Sequence, residues 1–453
     1  MSQTSEKVIQ KEAPPPGTLG RPELYALSIG QVIGAGIITL VGPAITLTGL
    51  SAWPAYLASI VLGFMLIMPV VFVTSTLRLG GGYYSMLAGL TNEKLAGMYA
   101  VAFFTQMIAM SLFGLSLGIY ANSLWPVLNP RAIGIIFITL FYLINLGGVD
   151  IMAKAQKIMT WMLIAALLMF IVVGMTRLQN PVFQFTRSDY FSGGTSGFVA
   201  AIYLFVYSTN GYALTMNYGR DAKNAKRDIP WAILMSVPTL VILYCGVAIV
   251  GSGVLPLEVV ANQPLTLVAQ EILPSILFVI FIVGGPIAAL MTTMNSSMAF
   301  NCVPIAQACK DGWLPKGLAK QNKRGAYTRI LTIVYLIGII PLVLDFSVTA
   351  ITSNIMLFNG CLSILYTFAY LQLPKRFPDA WKRSKLHLPD KVYYTLVILS
   401  FLAYMTVLVN SIRTLSIVVV IISLLAIGGC MVFGFLRSSS PNVKVETSMW
   451  PDE

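Results

Sequence analysis

The stretch SIGQVIGAGIITLVG, Ser28 to Gly42, decides how the rest of the chain is read. It sits inside a long apolar run, yet it carries glycine at positions 30, 34, 36 and 42. Glycine in a helix interior costs about 1 kcal/mol relative to alanine. A helix that has to cross oil is therefore seeded with residues that let it come apart. Two readings are open from these residues. Gly30 and Gly34 can form a small-xxx-small face for close helix packing. Alternatively, the helix is interrupted at Gly34-Ala35-Gly36, roughly 15 Å from its start, leaving free N–H groups on one half and free C=O groups on the other. Unpaired backbone at membrane depth is tolerated only where it is buried in protein or lines a cavity. Half-helix N-termini attract carboxylates, and half-helix C-termini attract cations or ammonium groups.

Lipid is the solvent for most of this chain. Of 453 residues, 57% are hydrophobic and 10% charged, against a charged share of about 25% in soluble domains. Apolar segments of spanning length fall near 24–48, 52–77, 95–121, 132–149, 151–176, 197–218, 230–253, 266–304, 328–344, 347–372, 392–411 and 414–436. The sequence thus predicts an all-α integral membrane protein of twelve transmembrane helices. Residues 1–23 read as a polar N-terminal tail and 437–453 as a C-terminal one. With the N-terminus inside, all but four of the 29 Lys and Arg residues lie on the inner side, the exceptions being Arg131, Arg177, Arg187 and Arg413. The positive-inside rule then puts both termini in the cytoplasm, and the expected location is a bacterial inner membrane. The net charge of +12 is accounted for by topology and an anionic leaflet, so no nucleic-acid partner is expected.

Enzyme chemistry finds no purchase. The five cysteines (Cys245, Cys302, Cys309, Cys361, Cys430) have no metal-ligand spacing and lie in spans or at inner ends, and the single histidine, His387, is in a loop. The sequence GGGYYS at 80–85 lacks the Lys-Ser/Thr ending of a phosphate loop. No cofactor and no metal are expected.

A second interruption makes the first more informative. Span six reads AAIYLFVYSTNGYALTMNYG, and its middle, Tyr207-Ser208-Thr209-Asn210-Gly211, is polar and ends in glycine. A polar turn that bonds only within the bundle would give the same pattern. Read as a break, it lies five spans after the first, in a helix that starts on the opposite side of the membrane. That predicts two inverted five-helix repeats, 24–176 and 197–372, plus two further helices at 392–436, with binding at the midplane between the breaks.

IGQVIGAGIITLVG, RLGGGYYSML, NYGRDAKNAKRDIPWAI and ACKDGWLP together resemble the amino acid–polyamine–organocation transporter superfamily. Within it the chain is most similar to the L-amino acid transporter family, in particular its bacterial alanine–serine–cysteine exchangers. The resemblance implies discontinuous helices one and six. The substrate carboxylate is then expected at the amides around Ala35 and Gly36, and the amino group at carbonyls of Val32, Tyr207 and Asn210. The candidate contact set is Val32, Ile33, Gly34, Ala35, Gly36, Ile37, Tyr207, Ser208, Thr209, Asn210 and Gly211, with Tyr207 also placed as an outer gate. Gly211-Tyr212-Ala213 lacks the glutamate that relatives often carry there, and the loop NSLWPVLNPR lacks the cysteine that links animal relatives to a heavy-chain partner. No disulfide-linked partner is expected.

No Asp or Glu lies deep within a span, so small neutral L-amino acids are the expected substrates. Lys154 is the coupling candidate. From the residues alone it is a topology anchor or a partner for Asp150 at i,i+4. The resemblance implies instead that its ammonium bridges spans one and eight where coupled relatives bind sodium, which makes transport sodium-independent. Obligatory exchange is the expectation, with a proton-coupled symporter and a non-transporting amino-acid receptor as alternatives.

Overall fold

In the computed structural model the described residues are 14–34, 36–125, 127–187, 190–344, 348–445 and 448–451. Among the described residues eight helical segments are long and apolar enough to cross a membrane: Gly36–Thr76, Glu93–Asn122, Val149–Met175, Gly194–Tyr218, Ala225–Gly253, Ser275–Lys310, Asp390–Arg413 and Ile417–Ser438. Pro130–Leu146 and Thr328–Val343 are shorter apolar helices, and Val348–Arg376 is a further helix of 29 residues. The protein is therefore a multi-span, mostly helical membrane protein.

The first long segment is divided. Arg21–Val32 is one helix, Gly36–Thr39 and Val41–Thr48 follow, and a short 3₁₀ turn at Gly49–Ser51 leads into Ala52–Thr76. The segment expected at 266–304 is also resolved differently. Thr266–Ile272 is a separate short helix, and the long one runs Ser275–Lys310. Pro274 explains the division, because it has no N–H to continue the preceding helix and is well suited to start the next.

Two of the long helices carry a π turn, at Val241–Cys245 and at Val283–Ile287. Pro238 precedes the first and Pro286 lies within the second. A proline removes one i→i−4 bond, and the wider turn is a local way to accommodate that loss.

The face that carries most of the basic loops is closed by paired backbone. Leu19 bridges to Ala222, and Arg78–Leu79 pairs antiparallel with Met449–Trp450, opposing Trp450 and Met449 in turn. These are the β pairings among the described residues, and they modify the all-α expectation only at this face. The segment after the last helix is thus docked, where the sequence suggested a plain polar tail.

Candidate functional site

The stretch Ser28 to Gly42 is broken. The helix Arg21–Val32 ends with Ile33 turning out of helical geometry (φ −80°, ψ 89°), and the Gly34 N–H donates back to the Val32 carbonyl at 3.0 Å. Ala35 lies outside the described residues. Gly36 begins the next piece, where Ile37 and Ile38 are buried. The packing role proposed for two glycines belongs to one of them. A Cβ on Gly30 would fall 2.0 Å from the Gln156 amide nitrogen and 2.9 Å from Thr292 Cβ. On Gly34 it would meet only Thr293 Oγ1, at 3.6 Å. Gly30 lets helices approach; Gly34 has open space beside it.

The second interruption is built by other means. Gly194–Val206 tightens into a 3₁₀ turn at Tyr207–Thr209, Asn210 is extended, and Gly211 takes φ +124° before a 3₁₀ stretch at Tyr212–Tyr218. That φ suits glycine and strains any other L-residue. Ser208 Oγ donates to Phe205 O, Thr209 Oγ1 to Val206 O, and Asn210 Nδ2 to Val206 O at 2.7 Å. The carbonyls at the end of this half-helix are therefore largely occupied by its own side chains.

The two breaks lie against each other. A Cβ on Gly36 would sit 2.7 Å from Ser208 Cβ, and one on Gly211 would sit 2.9 Å from the Gln31 carbonyl. Tyr244, on the π turn, joins them. Its hydroxyl lies 3.0 Å from Val32 O and 2.9 Å from Ser208 O, and one proton serves one acceptor at a time. Tyr56 stacks on Phe205 with ring centroids 3.7 Å apart and reaches Ser208 Oγ at 2.8 Å. Val206, Ser208 and Thr209 are buried, whereas Tyr207 is 44% exposed. Gln31, Gly34, Gly36, Asn210 and Gly211 are partly exposed among buried neighbours. Exposed backbone and amide edges thus concentrate where the halves meet.

Lys154 is not brought to the contact between the first helix and Ser275–Lys310. It is exposed on Val149–Met175. The adjacent lysine, Lys157, pairs with Glu23 at 2.8 Å, and Asp150 accepts a hydrogen bond from Thr18. The buried side chain on that contact is Gln156, two residues along and on a different face. Asn295 Nδ2 donates to Gln156 Oε1 at 2.8 Å and to Met152 O at 3.1 Å, while Thr160 Oγ1 donates to Ala26 O at 3.0 Å. Thr293 Oγ1 lies 3.1 Å from Gly30 O, and Ser296 Oγ donates to Gln31 Oε1 at 2.6 Å. Sequence reasoning missed Gln31, Tyr56, Gln156, Tyr244 and this polar run. The signal was visible in TTMNSS at 292–297, a cluster of hydrogen-bonding residues within an apolar helix.

A separate cavity of about 500 Å³ lies between two helices and is lined by Met162, Met169, Val279 and Val283 among other apolar residues. It has no polar groups to orient a zwitterion and is remote in sequence from both breaks. Among the described residues no cluster of His, Cys, Asp and Glu could hold a metal.

The family and relatives of this multi-span helical bundle are membrane transporters. The chain belongs to the amino acid permease family, which matches residues 19–450. It is 25% identical to the D-serine/D-alanine/glycine transporter of Escherichia coli strain K12 over 85% of this chain and 87% of that one. It is 23% identical to the branched-chain amino acid permease BcaP of Bacillus subtilis strain 168, over 83% of each chain. A methylthioribose transporter of the same Bacillus strain is 25% identical over 67% of this chain and 69% of that one. The protein is not an enzyme: its family and relatives move amino acids and small solutes across membranes.

Proposed function

We propose that this protein is a sodium-independent exchanger of small neutral L-amino acids, of the alanine–serine–cysteine type, working by alternating access in a bacterial inner membrane. In this reading twelve helices form two inverted five-helix repeats plus two more, the basic face is cytoplasmic, and no heavy-chain partner is needed. The observation that carries it is the apposition of the two breaks, with partly exposed Gly34, Gly36, Asn210 and Gly211 among buried neighbours. The amides at the start of the half-helix after the first break suit a carboxylate, and an ammonium would share Val32 O and Ser208 O with the Tyr244 hydroxyl, each carbonyl having a second lone pair to offer. The relatives that act on D-serine, D-alanine, glycine and branched-chain amino acids support a neutral amino-acid substrate.

Exchange is favoured over proton symport because the buried inter-helix link is a neutral amide, Gln156, bonded to Asn295. A carboxamide carries no titratable proton at physiological pH. Among the described residues the buried charged side chains, Arg78, Asp228 and Asp311, and the desolvated Asp221 carboxyl lie at or near helix ends on the basic face, away from the two breaks.

The test is uptake of labelled L-alanine into proteoliposomes that are empty or preloaded with L-serine, with and without a pH gradient. Uptake that requires preloading and ignores sodium and pH supports the exchanger. Uptake into empty vesicles driven by the pH gradient replaces it with the symporter. Alanine, serine and cysteine are expected to compete, whereas arginine, glutamate and methylthioribose are not. Methylthioribose has neither carboxylate nor ammonium, so strong competition by it overturns the backbone-recognition reading.

A further inference from the structure

We propose that residues 442–445 and 448–451 together strap the cytoplasmic side shut and have to leave their seats for that side to open. The proposal rests on the alternating-access reading and on contacts at both ends of the strap. At one end, Lys444 N–H donates to Asp311 O at 2.9 Å, at the end of the helix Ser275–Lys310. At the other, Met449 and Trp450 pair with Leu79 and Arg78, Gly80 N–H donates to Ser448 O at 2.8 Å, and Ser85 and Ser448 hydroxyls lie 2.5 Å apart. Lys226 Nζ donates to Pro451 O at 2.7 Å, at the start of Ala225–Gly253.

The seat is shaped for its occupant. A Cβ on Gly80 would fall 2.7 Å from the Trp450 ring. Gly312 has φ +86°, and a Cβ there would fall 1.9 Å from Asn442 O. Met449 and Trp450 are 2% and 7% exposed, a degree of burial that a solvated tail does not reach. A loosely held tail needs no such recesses.

Arg78 gives the strap its leverage. It is 2% exposed and donates to Gly219 O and Arg220 O, at the end of the inner half of the second broken helix. It also donates to Pro14 O and Pro15 O, on the segment that leads into the first. Its guanidinium lies 5.6 Å from the centre of the Trp450 ring. One arginine therefore gathers the inner ends of both broken helices, and the strap ties that arginine to the end of Ser275–Lys310. Inner opening separates those inner halves from that helix, and the strap resists the separation. Its release sets how often the inner side opens.

The test uses the full chain in proteoliposomes and a readout independent of substrate. Cys302 is 4% exposed and lies two turns inside Asp311, so its alkylation by N-ethylmaleimide, followed site by site with mass spectrometry, reports inner opening. Trp450→Ala is expected to raise that rate about tenfold. Gly80→Ala, whose methyl displaces the ring, is expected to do the same, and the double variant to add nothing further. Conversely, Ser85→Cys with Ser448→Cys, once oxidised, is expected to slow alkylation and arrest exchange until reductant is added. Unchanged Cys302 alkylation in the folded Trp450 and Gly80 variants overturns the strap. So does an oxidised double-cysteine chain that exchanges at the reduced rate, which also covers a Trp450 variant that fails to fold. Because alkylation needs no substrate, a wild-type chain that fails to exchange amino acids counts against the proposed function and leaves this measurement standing.

Discussion

The two interruptions reach the same backbone outcome by opposite means. The first is made by omission: Gly34 has nothing within 3.4 Å of where its Cβ would be, and its described sequence neighbours Val32, Ile33, Gly36 and Ile37 carry no hydrogen-bonding side chain, so the polar support comes from Tyr244 and Thr293 on other helices. The second is made by substitution, since Ser208, Thr209 and Asn210 bond back to Phe205 and Val206 and are braced by Tyr56 and Ser59. The first break leaves open space beside Gly34; the second has its backbone held in place by its own side chains. In the proposed site the first break is therefore where binding energy is gained, and the second is the rigid wall against which the ligand is placed. Binding is expected to be more sensitive to change at the first, and folding at the second.

Gly34→Leu breaks or confirms this division most sharply. The open space receives the side chain without a backbone clash, so the variant is expected to stay folded and monodisperse. Its isobutyl group occupies the space in front of the amides, and substrate affinity is expected to fall on the order of 100-fold or more. Unchanged affinity for L-alanine returns Gly34 to helix packing. The counterpart at the second break is Gly211→Ala. With φ +124° and the Gln31 carbonyl 2.9 Å from the new Cβ, it is expected to cost about 1–3 kcal/mol of stability. Thermal unfolding in detergent reads it, and a variant as stable as wild type shows that the second wall is not rigid.

Tyr244→Phe tests the link between the breaks. It keeps the ring and removes the hydroxyl shared by Val32 and Ser208. Loss of one such bond, of about 1 kcal/mol net, is expected to weaken substrate binding several-fold with little change in melting temperature. A pair of neighbours on Val149–Met175 then separates architecture from topology. Gln156→Leu leaves the buried Asn295 amide short of a partner and is expected to cost about 1–3 kcal/mol. Lys154→Ala, at an exposed position, is expected to stay within about 0.5 kcal/mol of wild type and to transport normally. Severe slowing of Lys154→Ala restores the coupling role that the family resemblance implied.

The contrast between breaks also explains what could be read from the chain. Gly34-Ala35-Gly36 and Tyr207 to Gly211 were legible because glycine and polar residues are anomalous inside apolar helices. That anomaly is local and needs no knowledge of neighbours. Tyr56 and Tyr244 were not legible, since a tyrosine in a membrane helix is unremarkable until its hydroxyl is seen to reach a carbonyl on another helix. The same holds for Gln156 against Lys154. Charge drew attention to the lysine, but which face of a helix is buried is a property of packing, and at this helix the two residues point to different surroundings. The seating of Asn442 at Gly312 and of Ser448 to Trp450 at Gly80 was invisible for a related reason: both recesses belong to loops distant in sequence.

The smallest expected effect concerns the stitching that supports both breaks from the basic face. Leu19 N–H donates to Asp221 O and Lys223 N–H to Leu19 O, joining the segment before Arg21–Val32 to the segment after Tyr212–Tyr218. The Asp221 carboxyl itself is pushed up to about 6 by burial, with the Arg220 guanidinium opposing that rise. An acid whose folded pKa is raised contributes stability that is fully present below its unfolded value, near 3.8, and is lost as pH rises through about 6. At neutral pH the folded protein therefore bears the ionised, desolvated carboxylate as a penalty. Asp221→Asn removes it while keeping the shape and a hydrogen-bonding group. The variant is expected to melt about 1–3 °C higher than wild type at pH 7.5, with a smaller advantage at pH 5, where wild-type Asp221 is already mostly protonated. Destabilisation at pH 7.5 shows instead that the carboxylate is a favourable partner for Arg220 and Arg78, and that the inner stitching is electrostatic in addition to its backbone pairing.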